Sequence, residues 1–253
     1  MYHTVNIGHK TRFNPTTNGE LHLGHVYIAL FNATEAHTNG DEFIVRFEDN
    51  QPEWLAIYGI ERSCDFAARM LDNLDWLGIR YDGYTLQSEM LEQVYTFASS
   101  KNAAVPAYTW PHPFPLDPTK SDRVPPMLGD WYSYTPFFTF CKVVLDNLQN
   151  IGALIRGDDL RSEFALYMHY CDMLGLSRPM HYYMPRLQEN DGSGLAKQYG
   201  AKSITEYRKA GVKPGDILDL LAKSSLKDPD RGWFLGNVKR KPRLVKDFEK
   251  LSK

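Results

Sequence analysis

The spacing of apolar and polar positions predicts a repeating strand–helix unit at the start of the chain. Thr11-Arg12-Phe13 forms a short extended run, and the turn formers of Asn14-Pro15-Thr16-Thr17-Asn18-Gly19 break it. From Leu23 to His37 small and apolar residues dominate without proline, which predicts a helix stopped at Asn39-Gly40. Phe43-Ile44-Val45-Arg46-Phe47 is aromatic and β-branched, as a buried strand requires. Strand, helix and strand in this order make a βαβ unit with parallel strands. Leu55, Cys64, Ala67, Met70, Leu71, Leu74 and Leu77 fall near helical spacing and predict a helix over 52–77, with Pro52 in its first turn and Gly78 past its end.

Further helices are predicted over 88–99, 137–147 and 160–174, with a strand at Ala153-Leu154-Ile155 and helical segments beyond Gly200. Residues 105–126 hold 7 of the 15 prolines, a density that excludes regular helix or strand. Composition divides the chain into 1–100, a short Pro-rich connector or remnant of an inserted subdomain (101–132), 133–205 and a helical segment with a basic tail (206–253).

Composition narrows the class. Of the 253 residues 43% are apolar and 24% charged, which excludes wholesale disorder. A net charge of −2 excludes a globally basic nucleic-acid coat. Three scattered cysteines form no C-x-x-C pair, so neither a disulfide framework nor structural zinc is expected. The longest apolar run, Val26 to Phe31, is six residues, and no signal peptide is read at the N-terminus. The expectation is a cytoplasmic chain with no membrane partner.

The candidate chemistry begins at His22-Leu23-Gly24-His25, where the first loop meets the first helix. Spacing i, i+3 places both imidazoles on one face of the first turn, beside unpaired N–H groups that suit an anion. Gly24 leaves room for a flat ring. Two surface histidines, or two zinc ligands without a third, fit the spacing as well. No G-x-G-x-x-G, G-K-[ST] or G-x-S-x-G motif occurs.

The run from Thr11 to His25 resembles the opening signature of the glutamyl- and glutaminyl-tRNA synthetases of class I. The likeness continues in order through Phe43 to Asp49, Trp76-Leu77-Gly78-Ile79, Gln87-Ser88-Glu89, Ile155 to Leu160 and Gly200 to Tyr207. It implies an α/β fold, a Rossmann-like parallel sheet with flanking helices and ligands at the strand carboxyl ends. It also implies ATP-dependent activation of an amino acid as an adenylate, with Mg²⁺, and transfer to tRNA. By this resemblance Thr16, His22, Gly24, His25, Asp158 and Lys197 would bind ATP, with His22, His25 and Lys197 catalytic. Arg12, Thr16, Glu48, Phe138, Lys142 and Arg156 would hold the amino acid, glutamate being favoured. Without the resemblance, a structural salt bridge is the favoured reading of Arg12 and Glu48.

Three departures bear on that reading. Phe138 and Lys142 stand where the family commonly has a tyrosine and an asparagine, which bears on amino-acid choice. The second family signature, K-[LM]-S-K-[RS], corresponds to Gly194-Leu195-Ala196-Lys197-Gln198, which keeps one of its basic residues. The acceptor-binding insertion is cut to 101–132, and no anticodon-binding domain is expected. Residues 239–253 carry seven basic residues against two acidic, so tRNA is expected to bind weakly through this tail, and a terminal helix fits the segment equally. Two alternatives stand beside tRNA aminoacylation: ligation of the acyl group to a small molecule or carrier, and a non-catalytic binding protein.

Overall fold

The computed structural model describes residues 10–50, 52–106, 136–184, 187–188, 202–226 and 243–244. Its centre is a five-stranded sheet of β1 (Lys10–Phe13), β2 (Phe43–Phe47), β3 (Gly83–Leu86), β4 (Ile151–Gly157) and β5 (Met180–Met184). The spatial order is β3-β2-β1-β4-β5, and each neighbouring pair is parallel. Parallel strands need crossovers, and helices supply them: α1 (Leu23–Asn39) joins β1 to β2 and α2 (Pro52–Leu77) joins β2 to β3. Beyond them lie α3 (Leu91–Ser100), α4 (Pro136–Leu148), α5 (Phe164–Leu174), α6 (Ile204–Lys209) and α7 (Pro214–Leu226).

All five residues of β2 are buried, because both faces of the sheet are covered. On one face Phe43, Val45 and Phe47 join Val26, Ala29, Met70 and Leu74 of α1 and α2. On the other, Ile44, Ile151 and Leu154 join Phe140, Val144 and Tyr170 of α4 and α5. Gly40 and Gly78, at φ 76° and 71°, follow α1 and α2 in the left-handed conformation where a side chain is strained.

The strands at 11–13 and 43–47 and the helices at 23–37 and 52–77 stand where the apolar pattern puts them. Three expectations are corrected. The helices begun at Ser88 and Leu160 each start in a 3₁₀ turn, Ser88–Met90 and Asp158–Glu163, before turning α-helical. β3 and β5 escaped the pattern reading. Within the tail, Arg243–Leu244 is neither free nor helical: it forms β7, paired in parallel with β6 (Leu187–Gln188). Residues 107–135, most of the proline-rich segment, and the rest of the tail lie outside the described residues.

Candidate functional site

β1 lies between β2 and β4, so the chain leaves the sheet's centre in opposite directions there. In such sheets the crevice at the carboxyl ends of the strands is where ligands bind. β1 ends at Phe13, and the loop that follows leads to the amino end of α1.

Here His22 is the N-cap. Its Nδ1 accepts the Gly24 N–H at 3.1 Å, and His25 Nδ1 accepts the His22 N–H at 3.3 Å. The two rings stack with centroids 3.7 Å apart. With both Nδ1 atoms accepting, each neutral ring carries its proton on Nε2, a donor. A Cβ on residue 24 would come to 3.0 Å from the His22 ring, so glycine is what lets that ring fold back. Thr17 and Ser63 hydroxyls meet and tie the preceding loop to α2. Ser203 bridges to His22 in antiparallel fashion, and the Ile204 N–H donates to the Leu21 carbonyl at 2.8 Å.

A buried charge network occupies the same end of the sheet. Glu48, just past β2, accepts a hydrogen bond from the Thr16 hydroxyl at 3.2 Å. The Lys142 ammonium on α4 lies 3.6 Å from Glu48 and 3.2 Å from Glu163. Glu163 also accepts from the Thr139 hydroxyl at 2.9 Å and from Arg156 at 2.7 Å. Burial opposes the Lys142 charge, but Glu163 and Glu48 outweigh it and hold the ammonium above its ordinary pKa. Burial likewise pushes the Glu163 carboxyl up, and Lys142 and Arg156 bring it below the ordinary value. Arg156 donates through Nη2 to His181 Nδ1 and to the Tyr183 hydroxyl, both at 3.2 Å. Burial, then Arg156, lowers His181 to a pKa of about 3, so it is neutral at physiological pH.

Next to it, Asp146 accepts two hydrogen bonds from Arg12, one from Arg46 and one from the Tyr167 hydroxyl. Burial pushes the Asp146 carboxyl up, but Arg12 and Arg46 reverse this and hold it well below the ordinary range. Arg46 completes its bonds with Asn14 and Gln149.

Of the residues singled out from sequence, Thr16, Glu48, Lys142 and Arg156 come together in one network, and His22, Gly24 and His25 form a second group. Arg12 is committed to Asp146, as a structural salt bridge requires. Phe138 is fully buried against Phe137, and Asp158 opens the 3₁₀ turn after β4. Lys197 lies outside the described residues. Glu163, Asp146 and His181 were missed. Lys142 and Asp146 carried a signal, being charged at i, i+4 within an otherwise apolar helix face. Glu163 gave none, since it reads as one more acid in an acidic stretch. Among the described residues no three His, Cys, Asp or Glu side chains converge on a metal position, and no helix is long and apolar enough to cross a membrane.

Comparison with known proteins adds a family. The model of the class I tRNA synthetases (E and Q), catalytic domain, matches residues 9–108 and 118–235. A glutamate–tRNA ligase of Dichelobacter nodosus is 25% identical over 283 residues, covering 90% of this chain and 58% of its own length. One from Herminiimonas arsenicoxydans is 27% identical over 289 residues, with 90% and 59% covered. The chain thus spans less than two thirds of these curated relatives. A crystal structure of a glutamate tRNA ligase from Elizabethkingia meningosepticum, in complex with its amino acid, superposes with a TM-score of 0.64 at 18% identity, covering 86% of this chain and 61% of the other. The tyrosyl-tRNA synthetase of Archaeoglobus fulgidus, complexed with L-tyrosine, gives 0.52 at 18%, with 77% and 60% covered. These two likenesses carry the fold.

Proposed function

The chain belongs to the class I tRNA synthetase family (E and Q), catalytic domain, and from that membership we propose that it activates an acid of the amino-acid class with ATP and passes the acyl group to an acceptor. The observation that carries this reading is the stacked His22–His25 pair at the amino end of α1, beside the carboxyl ends of the central strands. A carboxylate oxygen of the acid attacks the α-phosphorus, a P–O bond forms, the bridging bond to the β-phosphate breaks and pyrophosphate leaves. No protein nucleophile is needed, so positioning and electrostatics are the protein's task. Nε2–H donors of His22 and His25, with the N-terminal dipole of α1, suit the charge that builds on the phosphate oxygens. Lys197 would add a cation at the leaving pyrophosphate, and Asp158 would lie toward the nucleotide. Magnesium typically binds through one or two carboxylates plus substrate phosphates. With no dedicated ligand cluster among the described residues, it fits as an ion carried by the ATP.

The relatives' names point to glutamate as the parent acid and tRNA as the acceptor. On this reading 1–100 and 133–205 are the halves of the catalytic domain, and tRNA contact falls to the tail. The test is ATP–pyrophosphate exchange over all standard amino acids, with and without total tRNA. Acid-dependent exchange supports activation; absence of exchange together with absence of ATP binding by calorimetry rejects it.

A further inference from the structure

Reading an acidic side chain takes a cation that is not already neutralised, and both candidate arginines are engaged. Arg12 gives Nε and Nη2 to the two oxygens of Asp146. Arg156 gives Nη1 to Glu163 at 2.7 Å and Nη2 to His181 and Tyr183. The third cation, Lys142, lies 3.2 Å from Glu163 and 3.6 Å from Glu48. Glu163 is fully buried and both its oxygens are bonded, Oε1 to Thr139 and Lys142, Oε2 to Arg156.

What the network leaves open is of a different kind. Glu48 Oε1 is buried and accepts no hydrogen bond among the described residues, which suits an α-ammonium. Arg156 Nε and His181 Nε2 have no partner among them either. These atoms offer hydrogen bonds without net charge, because Lys142 and Arg156 stand against Glu48 and Glu163, two cations to two carboxylates. A zwitterion with an uncharged side chain enters without changing that sum. A side-chain carboxylate seeking Arg156 or Lys142 would meet Glu163 already on each, and two carboxylates sharing a buried site repel. We propose that Glu163 is a specificity residue: it fills the cation sites an acidic side chain would need, so the amino acid activated here has an uncharged side chain. This rests on the activation reading, narrows its substrate class and departs from the glutamate of the relatives' names.

The test is ATP–pyrophosphate exchange with each standard amino acid, where glutamine against glutamate and asparagine against aspartate separate charge from shape. The wild-type protein exchanges fastest with an acid of uncharged side chain. Fastest exchange with glutamate, aspartate or a basic amino acid overturns the proposal. Glu163→Gln keeps the shape and frees Arg156 and Lys142. It raises kcat/KM for glutamate relative to the best uncharged acid by about 10-fold or more, equal to about 1.4 kcal/mol. Because it also leaves buried cations short of a partner, Lys142→Met with Glu163→Gln is measured beside it; this pair keeps the charge sum, leaves Arg156 open and shifts the ratio the same way. A ratio unchanged from wild type in whichever variant folds, judged by circular dichroism and urea unfolding, makes Glu163 structural only and overturns the proposal. Exchange with no acid at all, with no heat of ATP binding, removes the activation reading itself.

Discussion

Arg12 and Asp146, 134 positions apart in the chain, are joined by hydrogen bonds of 2.7 and 2.9 Å from the Nε and Nη2 of one guanidinium to the two oxygens of one carboxylate. The bond fastens β1 to α4, and Arg46 on β2 joins at 2.7 Å. One carboxylate thus pins two adjacent strands to the helix that covers them.

Replacing Asp146 by Asn should therefore be severe. Two buried guanidiniums would share a neutral amide, and removing one partner of a buried ion pair typically costs about 3–5 kcal/mol. Urea unfolding at pH 7 measures this, and a loss below about 1 kcal/mol would show that the pair contributes little to stability.

The two histidines should separate into stability and rate. His22 caps α1, so His22→Ala should lose about 0.5–2 kcal/mol, and His22→Asn, itself a good cap, should recover most of it without recovering exchange. His25→Ala should lower kcat of exchange about 10²–10³-fold with a smaller effect on unfolding. A rate unchanged in His25→Ala would remove that residue from the chemistry.

His181 gives a pH signature with a definite sign. Its pKa falls from 6.5 to about 3 on folding, so below pH 6.5 the unfolded chain takes a proton that the native state refuses. Stability is then full above 6.5 and declines as pH falls, by at most about 1.4 kcal/mol per unit from this group. Urea midpoints at pH 7.5 and 5.5 should differ less in His181→Gln than in wild type. An identical difference in both proteins would mean that His181 does not govern this range.

The fold was legible where burial is continuous along an element. β2 is covered on both faces, so its five residues had to be apolar or, like Arg46, fully bonded. β3 is a four-residue edge strand, Gly83-Tyr84-Thr85-Leu86, none of it fully buried and Tyr84 open to solvent, so no period marks it. β5 mixes His181 and Tyr183 with apolar residues, because its polar atoms hold Arg156. Of the candidate site, the local geometry of His22-Leu23-Gly24-His25 was legible, because an i, i+3 pair at a helix start is set by the backbone alone. The site's network was not, because Glu163 meets Arg156 and Lys142, 7 and 21 positions before it, across element boundaries where no helical or strand period relates them.

The tail yields the last prediction, and β7 changes what is expected of it. If 239–253 were only a basic arm for tRNA, its loss would leave exchange nearly intact. In the structure Arg243–Leu244 pairs with Leu187–Gln188, the strand three residues beyond β5 and nine residues before Lys197. Truncation after residue 238 removes this partner strand as well as the charge. It should therefore lower exchange, whereas neutralising Lys239, Lys241, Lys246 and Lys250 to Gln in the full chain should spare it. Both changes should weaken tRNA binding and flatten its salt dependence, since log K falls with log salt by about 0.9 per phosphate neutralised on a duplex. Exchange lost equally in both proteins would tie the tail's charge, rather than its strand, to activation. Exchange kept in the truncated protein would show that β7 is not needed for the chemistry.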